Sequence, residues 1–212
     1  MAAAADAFRR LGLADIQSAL GSVLPVVRTK VSPGLTLTAR RFIAHSPFVC
    51  LATSSSAGAD ASPRGDSPGF VRILDDTTLA LPDRTGNNLA DSFRNILENP
   101  AIGMLFFVPG IRETLRVNGI AFVTDDADLL ARMTVDSRRP KLALVVSVEQ
   151  VYFHCGKALI RSQLWEHDQQ ALAEAATLGT NVFFAQQIER RQVTRTASEM
   201  ARHFEHAYIT QL

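Results

Sequence analysis

The stretch AIGMLFFVPGIRETLRVNGIAFVT, residues 101–124, predicts two neighbouring strands of an antiparallel sheet. Its first part, Ala101–Val108, is a continuous apolar run of strand length, and Pro109 and Gly110 then form a turn. From Glu113 to Thr124, polar and apolar residues alternate, as they do in a strand that packs one face on a core. This stretch therefore predicts a β-hairpin, and its strands indicate that the surrounding domain contains an antiparallel sheet.

Sequence on both sides of this hairpin extends the run of consecutive strands. Further strands are predicted at 48–53, 59–64, 70–74, 77–81 and 141–153, and helices at 36–44, 88–97 and 127–133. Strands that follow one another without intervening helices favour an antiparallel sheet or a small barrel over a doubly wound parallel sheet. The predicted fold class is therefore mainly β with helices, an α+β fold.

Three parts of the chain differ in composition and pattern. Residues 1–34 are predicted to be an N-terminal helical extension with one short amphipathic helix, Leu13–Leu20, and residues 35–165 hold the strands. Residues 166–212 are predicted to form a C-terminal helical tail, rich in alanine and then in charged residues. We therefore expect one barrel domain with helical ends.

Charge and cysteine content argue against several classes of protein. Lys and Arg number 22 against 21 Asp and Glu, and a net charge of +1 supplies no field to attract nucleic acid or an anionic membrane. The apolar stretches are too short to span a bilayer, and no signal-peptide pattern is present. Cys50 and Cys155 lack the CxxC spacing of a structural zinc site. We expect a cytoplasmic protein with reduced thiols, no metal, and no nucleic-acid or membrane partner.

The stretch LPDRTGNN, residues 81–88, carries the most informative candidate site. A strand ends here, a polar turn follows, and a helix is expected to begin at Asn87 or Asn88, which are both good N-caps. The free N–H groups at a helix start suit a phosphate, and Arg84 and Thr85 could add a charged contact and a hydroxyl. A plain strand–turn–helix corner explains the same residues.

The stretch SPRGD, residues 62–66, places an arginine at the end of a predicted strand. Gly65 follows Arg64 directly, and its missing side chain leaves room for a ligand to approach the backbone. A surface hairpin that is closed by a salt bridge explains the same residues.

The stretch RETLRVNG, residues 112–119, predicts a polar stripe on a strand. The period of a strand puts Arg112, Thr114, Arg116 and Asn118 on one face, with the apolar residues between them on the other. Two arginines on such a stripe could bind an anionic or electron-rich ring. An ordinary solvated strand face is the alternative.

The stretch FHCGKALIRSQLW, residues 153–165, begins where the last strand ends and leads to the only tryptophan. Lys157 and Arg161 are four residues apart, so on a helix they share a face and form a local basic site. His154 beside Cys155 suggests a nucleophile pair, but adjacent residues of a helix point in different directions, which favours a structural role. No GxSxG, HExxH, Walker A or GxGxxG motif is present, so no catalytic residue is assigned.

Together these four stretches resemble one known family. The motifs PRGD, DRxGNN, RxTLRVNG and HCxKALxRSxLW lie between Leu37 and Trp165. In combination they are similar to those of the pyridoxamine 5'-phosphate oxidase-related FMN-binding proteins, within an uncharacterised bacterial subgroup. The resemblance implies a split β-barrel and a homodimer with two FMN sites at the subunit interface.

The resemblance also implies which residues bind FMN. They are Ser62, Arg64, Gly65, Asp66, Asp83, Arg84, Thr85, Asn87, Asn88, Arg116, Lys157, Arg161, Ser162 and Trp165. The phosphate is expected at the turn 83–88, and the ribityl chain and ring edge along residues 62–66. Arg116 is expected near the isoalloxazine or the phosphate, and the segment 157–165 is expected to come from the partner chain.

Two departures from the family argue against oxidation of vitamin B6. Asn87 and Asn88 stand where the true oxidases have an arginine–lysine pair, and we find no counterpart of their C-terminal substrate-phosphate motif around His203 and His206. We therefore expect an FMN-dependent oxidoreductase for an unidentified small substrate, with hydride transfer at flavin N5. A deazaflavin-dependent reductase, and a non-catalytic flavin- or haem-binding carrier or sensor, are the alternatives.

Overall fold

The computed structural model describes residues 7–22, 29–86, 88–166 and 186. The chain divides into two compact units, residues 1–31 and residues 32–212. Within the described residues, no helix is long and apolar enough to cross a membrane. The predicted helical tail, apart from Glu166 and Gln186, lies outside the described residues, and the predicted domain limits stay predictions.

Among its described residues, the first unit contains one α-helix, α1 (Leu13–Leu20), at the predicted position. It begins after Gly12, whose N–H donates to a carboxylate oxygen of Asp15 at 3.0 Å. The Arg9 guanidinium donates to the other oxygen of the same carboxylate at 2.8 Å. Asp15 therefore stabilises the first turn, where a negative charge also complements the helix dipole.

The described residues of the second unit form seven strands and four helices. The strands are β1 (Phe48–Ser55), β2 (Gly58–Gly65), β3 (Arg72–Ile73), β4 (Thr78–Pro82), β5 (Ala101–Phe107), β6 (Thr114–Thr124) and β7 (Ala143–His154). The helices are α2 (Leu37–His45), α3 (Asp91–Glu98), α4 (Ala127–Arg132) and α5 (Lys157–Ser162). From α2 to β7, this element order matches the predicted order of a helix, four strands, a helix, two strands, a short helix and a strand.

The strands form a single sheet in the order β2-β1-β5-β6-β7-β4-β3. All of its hydrogen-bonded neighbours are antiparallel. The register of β6 against β7 shifts between Asn118 and Gly119, which marks a bulge in the middle of the longest pair. The predicted α+β fold class, with an antiparallel sheet at its centre, is confirmed.

One face of the sheet surrounds the main hydrophobic core. Along β5 every second residue is buried, as the alternation of a strand with one face on a core requires. Val49 on β1 and Leu79 on β4 belong to the same buried cluster, although three strands lie between them in the sheet. The sheet therefore curls around one core in the manner of a split barrel.

The start of α3 differs from the prediction. The helix was expected to begin at Asn87 or Asn88, but it begins at Asp91 and its N-cap is Ala90. Asn88 and Ala90 have φ angles of 58° and 60°, in the left-handed region that a right-handed helix excludes. Asn87 lies outside the described residues. The predicted N-cap role of Asn88 is therefore wrong.

Candidate functional site

The ends of β2 and β4 bring two arginines and two aspartates together. Arg84 Nε donates to Asp66 Oδ2 at 2.5 Å, and Arg64 Nη1 lies 3.7 Å from Asp83 Oδ1. All four side chains are partly shielded from water, with exposed fractions between 17% and 28%. We call these four residues the arginine–aspartate cluster. It joins two of the stretches that the sequence analysis singled out.

Helix α3 contributes residues to this site that the sequence analysis missed. Arg64 Nη2 donates to the hydroxyl of Ser92 at 3.1 Å, and that hydroxyl lies 3.4 Å from Asp60 Oδ2, to which it donates. The guanidinium carbon of Arg64 lies 5.9 Å from the ring centroid of Phe93. No local motif marks a helical serine that contacts a strand 28 residues earlier, so the sequence alone could not identify it.

Burial and charge act in opposite directions on Asp83. Burial raises the pKa of the Asp83 carboxyl above its ordinary value of 3.8, because the charged form is partly removed from water. The charges of Arg64, Lys141 and Arg84 lower the pKa and offset part of this effect. The cluster itself holds as many carboxylates as guanidiniums, so it carries no excess positive charge.

One hydrogen-bond donor of the cluster has no acceptor. Arg64 Nε is buried, and within the described part of the chain no atom accepts its hydrogen. An unpaired buried donor costs free energy of roughly 1–3 kcal/mol. A bound ligand that supplied an acceptor at this atom would therefore gain more binding free energy than it would from the same hydrogen bond to a solvated arginine.

The segment between β4 and α3 presents exposed polar groups and a helix start without a side-chain cap. Thr85, Gly86 and Asn88 are exposed, and no side chain caps the N-terminus of α3 at Ala90. The first amide groups of an uncapped helix are free to donate to an anion. Asp91, in the first turn of this helix, adds a negative charge nearby.

Two other predicted residues lie on β2 beside the cluster. Ser62 is half-buried opposite Leu51, on the same face of the sheet as Arg64. A Cβ added at Gly65 would lie 3.4 Å from the carbonyl oxygen of Pro47. The space that Gly65 leaves therefore adjoins the chain before β1.

Arg116 lies on the opposite face of the sheet from Arg64. Arg64 is paired with Val49, and Val49 with Phe106, whose side chain is fully buried. Arg116 is paired with Leu105, the neighbour of Phe106. Opposed residues of antiparallel strands point to one face and successive residues to alternate faces. The structure therefore does not bring Arg116 to the arginine–aspartate cluster of its own chain.

The polar stripe predicted on β6 is present in part. Arg116 and Asn118 share one face of the strand, as predicted, and both are half-buried on the outer side of the sheet. Thr114 is buried, with 6% of its surface exposed, and Arg112 precedes the strand. Only two of the four residues therefore form a continuous polar stripe.

The segment 157–165 packs against the loop between β5 and β6. Trp165 Nε1 donates to the carbonyl oxygen of Ile111 at 2.8 Å, and a Cβ added at Gly156 would lie 2.6 Å from Cβ of Arg112. Lys157 and Arg161 are exposed, and Ser162 bonds only within α5. Among the described contacts, none joins this segment to the arginine–aspartate cluster of the same chain.

The family model for pyridoxamine 5'-phosphate oxidase matches residues 35–155, more than half of the chain. The chain belongs to this family. The match includes the arginine–aspartate cluster, the start of α3 and Arg116. Among the curated proteins, none matches the chain.

Solved structures with a similar chain path include two bacterial proteins. The HupZ protein of Group A Streptococcus is 19% identical with a TM-score of 0.46, and the match covers 55% of this chain and 90% of that one. An FMN-binding protein of Syntrophomonas wolfei is 15% identical with a TM-score of 0.43, and the match covers 54% of this chain and 82% of that one. The family assignment rests on the family model and not on these structures.

Proposed function

We propose that the protein binds FMN and transfers hydride between the flavin and a small substrate that is not yet identified. The observation that carries this proposal is the arginine–aspartate cluster beside the uncapped start of α3, within a chain of this family. FMN, when bound, supplies reversible hydride acceptance at N5. A triad or metal is then not required for the reaction.

The residues beside the cluster fit the phosphate end of FMN. Arg64 has an unpaired buried Nε, and Arg84 offers the guanidinium that Asp66 holds in place. The amide groups at the start of α3 supply further donors, and Thr85 a hydroxyl. These groups would bind and orient the phosphate through charge-assisted hydrogen bonds. Asn87 and Asn88 belong to the same proposed turn.

The charge balance of the cluster supports a site that two chains share. A phosphate monoester brings close to two negative charges, whereas the cluster has no excess positive charge. Lys157 and Arg161 are exposed on one helix and do not contact the cluster of their own chain. We propose that α5 of a second copy, with Ser162 and Trp165, completes the site in a homodimer.

The outer face of the sheet is the proposed dimer surface. Phe48, Ile120 and Phe122 lie on this face, with 39%, 40% and 55% of their surfaces exposed. Large apolar side chains that are exposed on one face of a sheet are typical of a protein interface. A twofold dimer built on this face would bury them.

Oxidation of a vitamin B6 phosphate is not part of the proposal. Asn87 and Asn88 carry no charge, whereas the true oxidases have an arginine–lysine pair at this place. The sequence also has no counterpart of the C-terminal substrate-phosphate motif of the true oxidases around His203 and His206, so no site for a second phosphate group is proposed. The residues that recognise the substrate are therefore expected on a different part of the surface.

Calorimetric titration of the flavin-free protein with FMN and with riboflavin tests the proposal. We expect FMN to bind at least about 10-fold more tightly, because riboflavin lacks the phosphate and its charge-assisted hydrogen bonds. Reduction of the bound flavin by NADH or NADPH, followed by reoxidation with candidate acceptors, then tests for turnover. Equal affinity for the two flavins would contradict the phosphate site, and tighter binding of a deazaflavin would contradict FMN as the cofactor.

A further inference from the structure

Three polar side chains along α3 and at its end fasten this helix to the first two strands of the sheet. Ser92, Asn95 and Asn99 are spaced by three and four residues, so they lie on one side of the helix. Asn95 Nδ2 donates to the hydroxyl of Thr53 at 3.0 Å. Asn99 Nδ2 donates to the hydroxyl of Ser54 at 2.9 Å. Ser92 differs from the two asparagines, because it contacts charged groups on β2 and not a neutral hydroxyl.

The hydroxyl of Ser92 connects a carboxylate and a guanidinium of β2. It donates to Asp60 Oδ2 at 3.4 Å and accepts from Arg64 Nη2 at 3.1 Å. A serine hydroxyl has a single hydrogen, and an ionised carboxylate can only accept one. The contact with Asp60 therefore leaves the Ser92 oxygen free to accept from Arg64. Only 1% of Ser92 is exposed, so bulk water does not compete for these contacts.

The guanidinium of Arg64 is held by three neighbours. Nη2 donates to Ser92, Nη1 lies 3.7 Å from Asp83 Oδ1, and the guanidinium carbon lies 5.9 Å from the ring centroid of Phe93. A long side chain loses rotamer freedom when it binds a ligand, and a side chain that is already held in place loses less. Arg64 is therefore arranged before a ligand arrives.

We infer that Ser92, oriented by Asp60, is a positioning residue that holds the Arg64 guanidinium in the conformation that binds a phosphate monoester. Ser92 acts through Arg64 and sets the preference of the site for a phosphorylated over an unphosphorylated ligand, and in that respect the inference rests on the proposed function. Asp60 and Arg64 are paired with Thr53 and Val49, whose side chains are buried on the core side of β1. The arrangement therefore lies on the opposite face of the sheet from the proposed dimer surface.

Calorimetric titration of Ser92→Ala and Asn95→Ala with FMN and with riboflavin is the first test. We expect Ser92→Ala to bind FMN at least about 5-fold more weakly than wild type and riboflavin within about 2-fold of wild type. Asn95→Ala is the matched control, because it removes a helix–sheet hydrogen bond of the same helix and leaves the contacts of Arg64 intact. We expect it to lower the midpoint of urea unfolding and to keep both affinities within about 2-fold. Equal losses of FMN affinity in the two variants would overturn the inference, because attachment of α3 alone would then explain them.

A double-mutant cycle with Arg64→Gln tests whether Ser92 acts through Arg64. In the Arg64→Gln background we expect Ser92→Ala to change FMN affinity by less than about 2-fold, because the guanidinium that Ser92 positions is gone. The same loss in both backgrounds would overturn the inference. If Ser92→Ala does not fold, Ser92→Cys takes its place, since a thiol has nearly the size of the hydroxyl and is a weak acceptor. We expect it to weaken FMN binding in the same direction.

An NMR titration with phenyl phosphate, read at the Arg64 Nε–H signal, separates this inference from the proposed function. We expect phenyl phosphate to shift this signal in wild type, to bind Ser92→Ala at least about 5-fold more weakly, and phenol, which lacks the phosphate, to leave the signal unchanged. This result in a protein that binds no flavin would support the inference and contradict the proposed cofactor. Equal binding of FMN and of phenyl phosphate by wild type and Ser92→Ala would overturn the inference and leave the proposed function standing. A wild-type signal that responds to neither ligand would also overturn it.

Discussion

Arg84 Nε donates to Asp66 Oδ2 across 2.5 Å, and this contact ties the segment after β4 to the segment after β2. Only 27% of the Arg84 side chain and 17% of the Asp66 side chain are exposed, so the pair is screened less than a surface salt bridge. Asp66 thereby fixes the guanidinium at the edge of the proposed phosphate site. The remaining N–H groups of Arg84 are then available to a ligand.

We expect Arg84→Ala to reduce FMN affinity by about 10- to 100-fold, because a hydrogen bond to a charged group contributes about 1.5–3 kcal/mol. Riboflavin affinity is expected to change less than about 3-fold, since riboflavin has no phosphate. Calorimetry with both flavins measures the two effects. Arg72→Ala, which removes an exposed arginine whose guanidinium donates to the carbonyl of Gly69, is the control. Equal losses for FMN and riboflavin would contradict a phosphate contact.

Asp83→Asn is expected to change how stability depends on pH. Burial raises the pKa of Asp83 in the folded protein above 3.8, its ordinary value, so the folded state holds this proton more tightly than the unfolded state. As pH rises through 3.8 and on through the raised pKa, the wild-type protein therefore loses the contribution of this group to stability. Asparagine does not titrate, so the variant lacks this loss.

Urea unfolding of both proteins, at pH steps that begin below 3.8, measures the Asp83 effect. The stability of Asp83→Asn relative to wild type is expected to rise across this window and to become constant at higher pH. Asp128→Asn, at an exposed aspartate on α4, is the matched control. If the stability of the variant relative to wild type fell with pH, the charges of the arginines would lower the pKa of Asp83 more than burial raises it.

Gly119→Ala is expected to destabilise the protein by about 2–3 kcal/mol. A Cβ at this position would overlap the carbonyl oxygen of Ser147, so the backbone of β7 would have to move. Gly103→Ala is the control, since its Cβ would make ordinary contacts at 3.5 and 3.6 Å, and we expect a change below about 1 kcal/mol. Urea unfolding measures both. Similar small effects at the two positions would contradict the close approach at the bulge.

Phe122→Arg is expected to convert the proposed dimer into a monomer. Phe122 is 55% exposed on the outer face, and a buried charge there would oppose association. Light scattering is expected to give twice the 23.1 kDa chain mass for wild type and the chain mass for the variant. Leu97→Arg changes an equally apolar residue that is 78% exposed on α3, and we expect it to leave the dimer intact. Dissociation by the α3 variant alone would place the interface elsewhere.

Most of the sheet could be predicted because its strands carry their own pattern. In β5 the apolar run and the following Pro109–Gly110 turn are local signals, and the observed strand ends within one residue of the prediction. The start of α3 could not be predicted in the same way. Asn88 is a good N-cap by residue type, but the surrounding chain holds it in the left-handed region, and the tertiary structure overrides the local preference.

The sequence motifs predicted residues of the candidate site, but they did not predict the contacts among those residues. The motifs contain Arg64 and Arg84, but the partners that hold them are set by how β2, β4 and α3 meet. Ser92 contacts Arg64 across 28 residues of chain, and its neighbours in sequence give no sign of this. The alternation of β6 predicted that Arg116 and Asn118 share a face, whereas the pairing with Tyr152 depends on the register with β7.

The visible absorption spectrum of the purified protein, followed by mass spectrometry of the released chromophore, tests the central claim most directly. The proposed function predicts a two-banded flavin spectrum and the mass of FMN for wild type, with the bound flavin largely lost in Arg84→Ala. A protein that stays colourless after FMN is added, or one that releases a deazaflavin, would contradict it.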